Sequence, residues 1–165
     1  MGRRGVRIYV ASSWRNPHQP GIVADLRVLG HEVYDFRHPP EGDHLGFSWS
    51  DVDPDWASWT ADQYRQALNH SIAVAGFNSD FGAMQWADAC VLVLPCGRSA
   101  HLEAGYFVGA AKPLHILLDP DEFQPDAGHH VTELMYRMAT AIHTSLDALL
   151  ADLYEGSPMQ LAMRS

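Results

Sequence analysis

The segment Ala89-Cys90-Val91-Leu92-Val93-Leu94 contains no polar residue and is bounded by Asp88 and Pro95. A short, continuous apolar run of this kind is typical of a strand that is buried on both faces of a parallel sheet. Pro95–Ser99 then predicts a turn, and Ala100–Ala111 predicts a helix that ends at Lys112-Pro113. A strand, a turn and a helix in this order form the repeating unit of parallel α/β proteins.

The same alternation continues on both sides of this unit. Further strands are predicted at Val6–Ala11, His31–Phe36, Leu114–Leu118 and Ala141–Thr144. Helices are predicted at Pro20–Leu29, across Pro54–Asp88 with a bend at Gly76–Ser79, and on both sides of the last strand between Val131 and Leu153. Arg37–Pro54 is predicted to be a long loop. We therefore expect one α/β domain over residues 1–165, with a five-stranded parallel sheet and helices on both faces, as in flavodoxin-like and Rossmann-like folds.

Composition narrows the classes of partner. The 165 residues are 47% hydrophobic and 19% charged, which suits a chain with a sizeable core. The formal net charge of −9 argues against binding a nucleic-acid polymer but leaves a single nucleotide open. We expect a cytoplasmic protein with no membrane partner and with Cys90 and Cys96 reduced, because the sequence has no bilayer-length apolar run and no signal-peptide pattern.

Ligands of open parallel sheets bind at the carboxyl ends of the strands, which directs attention to Glu103. This carboxylate lies about one turn into the helix that follows the most apolar strand. The positive end of the helix dipole favours its ionised form, and an ionised, positioned carboxylate can act as a nucleophile on a sugar carbon. Glu is also a favourable residue near a helix start, so a purely structural role remains open.

Two aspartates flank the end of the helix before the apolar strand. A second carboxylate near a nucleophile can handle the proton of the leaving group, and Asp80 is the candidate for this task. Asp is also a common helix cap, so both interpretations of Asp80 stay open. For Asp88 we expect a structural role at the turn from helix to strand.

The loop after the first strand, Ser12-Ser13-Trp14-Arg15, combines hydroxyl groups, backbone N–H groups and one cation. Such a loop can hold a phosphate while Trp14 closes on a base or sugar. The alternative is a polar turn with one packed Trp. In the long loop, Phe47 and Trp49 are candidates for a lid over a base, whereas the other aromatic residues of this region are assigned to packing, namely Trp56, Trp59 and Tyr64.

The ten histidines raise the question of a metal. His101-Leu102-Glu103 matches the H-x-E of zinc deaminases, but the required P-C-x-x-C does not follow it. His129 and His130 are adjacent, and no H-E-x-x-H occurs. We expect scattered surface histidines and no metal. A dinucleotide fingerprint and a P-loop are also missing, so no cofactor is predicted.

Taken together, several motifs resemble the nucleoside 2-deoxyribosyltransferase superfamily. They are the first strand with its Ser/Arg loop, L-G-H-E-V, the spacing of Asp80 and Asp88, V-L-V-L-P, and Glu103-Ala-Gly-Tyr followed by Gly109 and Lys112-Pro113. That superfamily includes the 2′-deoxynucleoside 5′-phosphate N-hydrolases and the CMP N-glycosidases. The resemblance covers residues 7–118 and implies an enzyme that breaks N-glycosidic bonds.

The resemblance also implies roles for individual residues. Glu103 matches the nucleophile that forms a glycosyl-enzyme intermediate, and Asp80 matches the acid that protonates or orients the leaving base. Tyr9 matches an aromatic residue that hydrogen-bonds near the nucleophile. Ser13 and Arg15 match the G-S-x-R loop that holds a 5′-phosphate, with Ser12 in place of the Gly.

Two departures from the superfamily pattern affect the substrate. Gly97, beside Arg98 and Ser99, stands where transferases carry a substrate-binding Asp and nucleotide hydrolases a phosphate-binding Ser. Ser99-Ala100-His101 replaces the usual small residues before the Glu. Within the resemblance, the S-x-R loop and the missing Asp at Gly97 favour a retaining N-glycosidase of a nucleoside 5′-monophosphate or a related nucleotide, with Arg98 helping Ser13 and Arg15 on the phosphate.

Other functions remain open beside this one. They are base exchange between deoxyribonucleosides, a non-catalytic nucleotide-binding module, and an NAD glycohydrolase related to TIR domains. Members of the superfamily pair through helices beside the site, so we expect a homodimer or a higher homo-oligomer. Its contact helices would be Tyr64–Val74 and Ala104–Ala111, which carry the apolar and small residues that such an interface needs.

Overall fold

The computed structural model describes residues 5–40, 46–124 and 132–155, and these form a parallel five-stranded sheet with six α-helices. The strands are β1 (Arg7–Ala11), β2 (Glu32–Tyr34), β3 (Ala89–Val93), β4 (Leu114–Leu117) and β5 (Ala141–His143). Their order across the sheet is β2-β1-β3-β4-β5, which puts the apolar strand β3 in the middle. The predicted fold class is confirmed.

The described residues contain six α-helices and three short 3-10 helices. The α-helices are α1 (Gln19–Val28), α2 (Trp49–Val52), α3 (Ala61–Ala67), α4 (Ser71–Trp86), α5 (Arg98–Gly109) and α6 (Leu146–Glu155). The 3-10 helices are Trp56–Ser58, Pro120–Phe123 and Leu134–Met138. Among the described residues, no helix has the length and apolar character that crossing a bilayer requires.

Alternation along the strands sends successive side chains to opposite faces of the sheet. Val91 and Val93 face a hydrophobic core, to which α1 contributes Leu26 and α6 contributes Leu149. On the other face, Tyr9 contacts Phe107 of α5, with ring centroids 5.8 Å apart. All five side chains of β3 are buried, because helices cover the sheet on both sides.

Contacts within the chain define two compact units. The first contains Met1–Val33 together with Ala87–Ser165, and the second is Tyr34–Trp86. The sheet core, α1, α5 and α6 belong to the first unit, whereas α2, α3 and α4 belong to the second. A single domain over residues 1–165 stays a prediction, and each unit is described separately below.

In the first unit, an ion pair ties the start of β1 to the residue before β3. Asp88 accepts hydrogen bonds from Arg7 Nη2 at 2.6 Å, from Arg7 Nε at 3.0 Å and from the Arg7 backbone N–H at 3.2 Å. The guanidinium group lowers the pKa of the Asp88 carboxyl. In return, the Asp88 backbone N–H donates to the Arg7 carbonyl at 2.8 Å. Asp88 thus has the structural role that was expected of it.

Two predicted boundaries in the second unit are wrong. Helix α4 runs without a bend through Gly76–Ser79, and the helical region is interrupted earlier, at residues 68–70. Gly76 is helical, and its missing side chain leaves room for Phe47. The predicted loop also contains the short helix α2, which starts because the Ser48 side chain accepts the Ser50 N–H.

The C-terminal part departs from prediction in one respect. The helix expected before the last strand is a five-residue 3-10 helix, Leu134–Met138, which starts where the Glu133 side chain accepts the Met135 N–H. Val131, where that helix was expected to begin, lies outside the described residues, as do His129 and His130. The last strand and α6 lie where they were predicted.

Four aromatic rings form a cluster in the second unit. Trp49 makes edge-on contacts with Phe47, Trp59 and Tyr64, with centroid distances of 4.7, 5.7 and 5.6 Å. Phe47 also lies against Gly76 of α4, where an added Cβ would be 3.0 Å from the Phe47 Cβ. The close approach of α4 to the cluster therefore depends on glycine at this position.

This contact generates a prediction for two glycines of the same helix. Gly76→Ala should lower the free energy of unfolding by about 1–3 kcal/mol, because the new methyl group overpacks the Phe47 contact. Gly82→Ala is the matched control: nothing lies within 4 Å of an added Cβ there, so helix propensity should raise stability by about 0.5–1 kcal/mol. Urea denaturation measures both. Equal effects of the two substitutions would contradict the steric argument.

Candidate functional site

The loop after β1 is joined to the loop after β3 by side-chain hydrogen bonds. Ser12 Oγ donates to the Val93 carbonyl at 2.9 Å. Asn16 Nδ2 donates to the carbonyls of Val93 at 3.4 Å and Pro95 at 3.2 Å, while its Oδ1 accepts the His18 N–H at 2.8 Å. Asn16 is only 1% exposed. These bonds hold two neighbouring loops together at the carboxyl edge of the sheet.

The remaining residues of the first loop face solvent. Ser13 Oγ accepts the Arg15 backbone N–H at 3.1 Å, which makes a tight polar turn. Trp14 is 50% exposed and Arg15 is exposed. Serine hydroxyls, an aromatic ring and a guanidinium group thus stand together at the end of β1. These are groups that can contact a nucleotide.

Glu103 lies in the second turn of α5, which begins at Arg98 directly after the β3 loop. Its side chain is partly buried. Gly97 is the N-cap residue of α5, and Gly97, Arg98 and Ser99 are all exposed. The three lie at the positive end of the helix dipole, beside the loop that Asn16 holds.

The surroundings of the two cysteines near Glu103 suppress the ionisation of both thiols. Burial, and then the negative charge of Glu103, raise the pKa of the Cys96 thiol to about 12, and the same two influences raise the pKa of the Cys90 thiol well above its ordinary value. Both cysteines are free of disulfides, as expected. At neutral pH they stay protonated, which excludes them as nucleophiles.

Tyr9 is fully buried beneath α5, where its ring contacts Phe107. Residues 103 and 107 are four apart and therefore lie on the same face of the helix. Tyr9 also pairs with Cys90 in the parallel register of β1 and β3. Tyr9 is thus placed under the helix face that carries Glu103, as a residue positioning the nucleophile would be.

His101, in the segment before Glu103, makes two hydrogen bonds and one ring contact. Its Nδ1–H donates to the Gly97 carbonyl at 2.9 Å, so its Nε2 accepts from the Tyr136 hydroxyl, also at 2.9 Å. The two rings are stacked. Tyr136 in turn lines an apolar groove with Leu118 and Phe123, after β4. His101 therefore connects the segment before α5 to the residues that line this groove.

Asp80, in the second unit, has the environment of a proton donor. Its Oδ1 accepts a hydrogen bond from the Tyr34 hydroxyl at 2.8 Å, and the same hydroxyl lies 3.0 Å from Ser79 Oγ. Burial raises the pKa of the Asp80 carboxyl, although the bond from Tyr34 acts in the opposite direction. A raised pKa keeps a larger fraction of the group protonated, as general acid catalysis requires.

Phe47 and Trp49, the predicted lid residues, lie in the aromatic cluster described above. Both are partly buried, and they share this cluster with Trp59 and Tyr64, which were assigned to packing. A lid role for Phe47 and Trp49 stays a prediction. Trp56, which was also assigned to packing, is 45% exposed.

Sequence analysis missed two residues that matter here. Asn16 gives a weak signal as an amide in the loop after the first strand, next to residues that were singled out. Tyr34 gives none beyond its place at the end of a strand. Both act through hydrogen bonds to residues at least 45 positions away, a kind of contact that local patterns do not reveal.

Solved structures share this architecture. A 2-deoxyribosyltransferase from the psychrotolerant bacterium Bacillus psychrosaccharolyticus, described as a biocatalyst for the synthesis of antiviral and antitumoral nucleosides, aligns over 88% of this chain and 94% of its own, with 19% identity and a TM-score of 0.51. The protein therefore has the fold of a 2-deoxyribosyltransferase. A conserved protein from Enterococcus faecalis V583 aligns over 92% and 99% of the two chains, with 15% identity and a TM-score of 0.61.

These likenesses concern the fold. No family model matches the sequence, and no curated protein matches it. The resemblance that the motifs indicated is thus supported at the level of architecture, over nearly the whole chain. The roles of individual residues rest on the geometry described above.

Asn16→Ala tests the connection between the two loops. It should lower the free energy of unfolding by about 2–4 kcal/mol, because two carbonyls and one N–H lose their partner at a buried position. Asn78→Ala, at an exposed position of α4, is the control and should change stability by less than about 0.5 kcal/mol. Denaturant unfolding measures both. A cost at Asn16 no larger than that at Asn78 would show that the loops do not depend on this residue.

Asp80→Asn tests the electrostatics of Asp80. Because burial raises the pKa of the folded carboxyl above its ordinary value of 3.8, the group favours folding at low pH, and this contribution is lost as pH rises through the folded pKa. Asn has no proton to lose and can still accept from Tyr34. The variant should melt at a higher temperature than the wild type at neutral pH, with a difference that shrinks on acidification.

Melting curves between about pH 4 and pH 8 measure this difference. Asp62→Asn, at an exposed position of α3, is the control and should show no comparable pH-dependent gain. An Asp80→Asn variant that melts below the wild type throughout this range would refute the raised pKa.

Proposed function

We propose that this protein is a retaining N-glycosidase that cleaves the N-glycosidic bond of a nucleoside 5′-monophosphate or a related nucleotide. The observation that carries the proposal is the position of Glu103. Glu103 is partly buried and lies in α5, the helix that follows the central strand β3. The chain has the fold of a 2-deoxyribosyltransferase. The raised pKa values of Cys90 in β3 and Cys96 before α5 make both thiols poor competitors of Glu103 as a nucleophile, which supports the proposal.

In the first step, a carboxylate oxygen of Glu103 attacks C1′ of the sugar. The bond from C1′ to the base nitrogen breaks, and its electron pair leaves with the base. Asp80 is the proposed donor of the proton that the base takes up, because burial raises its pKa and Tyr34 orients it. A glycosyl ester of Glu103 is formed.

In the second step, water attacks C1′ of this ester and releases Glu103 as a carboxylate. Asp80, now ionised, is the proposed base that takes the proton of the water, as the acid does in other retaining glycosidases. The product is a sugar phosphate with the original anomeric configuration. Tyr9 is proposed as a positioning residue for Glu103, because it lies under the same face of α5.

The phosphate is assigned to the two joined loops. Ser13 and Arg15 in the first loop, with Arg98 and Ser99 at the start of α5, provide hydroxyl groups and two guanidinium groups. The chain has a net charge of −9, so these two guanidinium groups form a local positive site that attracts one small anion. Trp14, half exposed in the same loop, is proposed to cover the sugar or base.

Base exchange is a second candidate function. It is favoured by the likeness to a 2-deoxyribosyltransferase. In this reaction the glycosyl ester of Glu103 would form in the same way, but an incoming base would attack C1′ in place of water. The two candidates share the first step and differ only in the acceptor.

A panel of nucleoside monophosphates and nucleosides tests the proposal, with free base measured by chromatography. We expect release of base from at least one monophosphate, and a loss of at least about 1,000-fold in Glu103→Gln, because the nucleophile is removed. Glu32→Gln, at an exposed position of β2, is the matched control and should retain full activity. Release that persists in Glu103→Gln would refute the mechanism.

An added acceptor base separates hydrolysis from exchange in the same assay. If water is the acceptor, the sugar phosphate accumulates whether or not a second base is present. If exchange dominates, a new nucleotide appears and the yield of sugar phosphate falls. Calorimetry that shows tight nucleotide binding without turnover by the wild type would instead indicate a binding module.

Association with a second copy of the chain is proposed as well. Helix α4 exposes Val74 and Phe77 on one face, and the ring of Phe77 stacks on Phe81 at 5.3 Å. Exposed apolar side chains grouped along a helix are typical of interaction surfaces. Sedimentation equilibrium should show a dimer or larger assembly that Phe77→Glu weakens. A wild type that remains monomeric would contradict this proposal.

A further inference from the structure

Two histidines lie on one face of the sheet where apolar residues surround them. In the parallel register, His115 of β4 pairs with Ala141, and Leu117 of β4 pairs with His143 of β5. Side chains two residues apart on a strand point to the same face, so the two histidines are diagonal neighbours beneath α6. They are 8% and 7% exposed. These two residues contradict the expectation of scattered surface histidines.

Helix α6 places a carboxylate above this pair. In sequence, Asp152 lies between Leu149 and Leu153, whose buried side chains hold α6 against the sheet. Its Oδ2 lies 3.4 Å from His115 Nδ1 and 3.5 Å from His143 Nε2. The two ring nitrogens are 3.3 Å apart. Three ligand-type atoms from three elements therefore form a nearly equilateral triangle.

Hydrogen bonds do not account well for this triangle. Good N–H···O bonds measure about 2.7–3.2 Å, and both nitrogen-to-oxygen distances are longer. If both nitrogens carry a proton, the two N–H groups oppose each other. If only one does, the lone pair of the other nitrogen faces the carboxylate. In each case, one of the three pairs of atoms interacts unfavourably.

A cation at the centre makes all three sides favourable. Ligand atoms that lie about 2.0–2.1 Å from a tetrahedral Zn²⁺ are about 3.4 Å from one another. The three separations match this value. Neutral imidazole is the metal-binding form of histidine.

We propose that His115, His143 and Asp152 bind a divalent transition-metal ion, with Zn²⁺ the best match to two nitrogens and one oxygen. Asp152 is 45% exposed at its side chain, so water can fill a fourth position from the solvent side. The ion would join β4, β5 and α6. None of the three ligands belongs to the candidate active site, so the proposal is independent of the proposed function.

The experiment uses the full chain, freed of metal with a chelator and then titrated with Zn²⁺ and, separately, Co²⁺. We expect one ion per chain, an absorption band of tetrahedral Co²⁺, and a higher melting temperature with metal. Asp152→Asn and His143→Gln should each bind at least about 100-fold more weakly, because one ligand is lost. His18→Ala, which removes an exposed histidine, is the control and should bind like the wild type.

Asp152→Asn keeps the proposal testable if His143→Gln does not fold, because Asp152 is partly exposed. Two results would overturn the proposal. One is a wild type that takes up no metal at neutral pH and shows no change in melting temperature. The other is equal affinity in the wild type and in Asp152→Asn, which would assign the uptake to other histidines.

Discussion

The burial of β3 is the constraint on which the rest of the first unit depends. No side chain of this strand reaches water, and its backbone pairs with β1 on one side and β4 on the other. Unpaired backbone groups in such a place would be costly, so a buried strand needs a neighbour on both edges. Parallel pairing then brings the carboxyl ends of the strands to one edge of the sheet. The loop of Asn16 and the helix of Glu103 meet at that edge for this reason.

The sequence was most informative where one local pattern determined the structure. Continuous apolar runs located β3 and β4, and a strand followed directly by a helix placed Glu103 at the sheet edge. Local patterns failed where contacts between distant residues decide. Helix α4 continues through Gly76, and Phe47, far away in sequence, fills the space beside this glycine. The helix at Trp49 depends on a single capping serine in a segment with the composition of a loop.

The same distinction applies to chemistry. Position alone identified Glu103 and Asp80 as candidates and left a structural role open for both. The hydrogen bond from Tyr34 and the raised pKa of Asp80 support its proposed role as the acid, and neither can be read from the sequence. The histidines show the opposite case. His115, His143 and Asp152 are separated by 28 and 9 positions, a spacing that matches no common metal motif. Only strand register and the face of α6 bring them together.

The hydrogen bonds of Asn16 affect how a ligand would be bound. Because one buried side chain holds the backbone of both loops, neither loop can rearrange without breaking bonds to the other. A ligand that contacts these loops would meet a surface that is already ordered and would lose little conformational entropy in ordering it. Selection among ligands there would then depend on fit to a fixed shape. Adaptation to different bases would have to come from residues outside the joined loops.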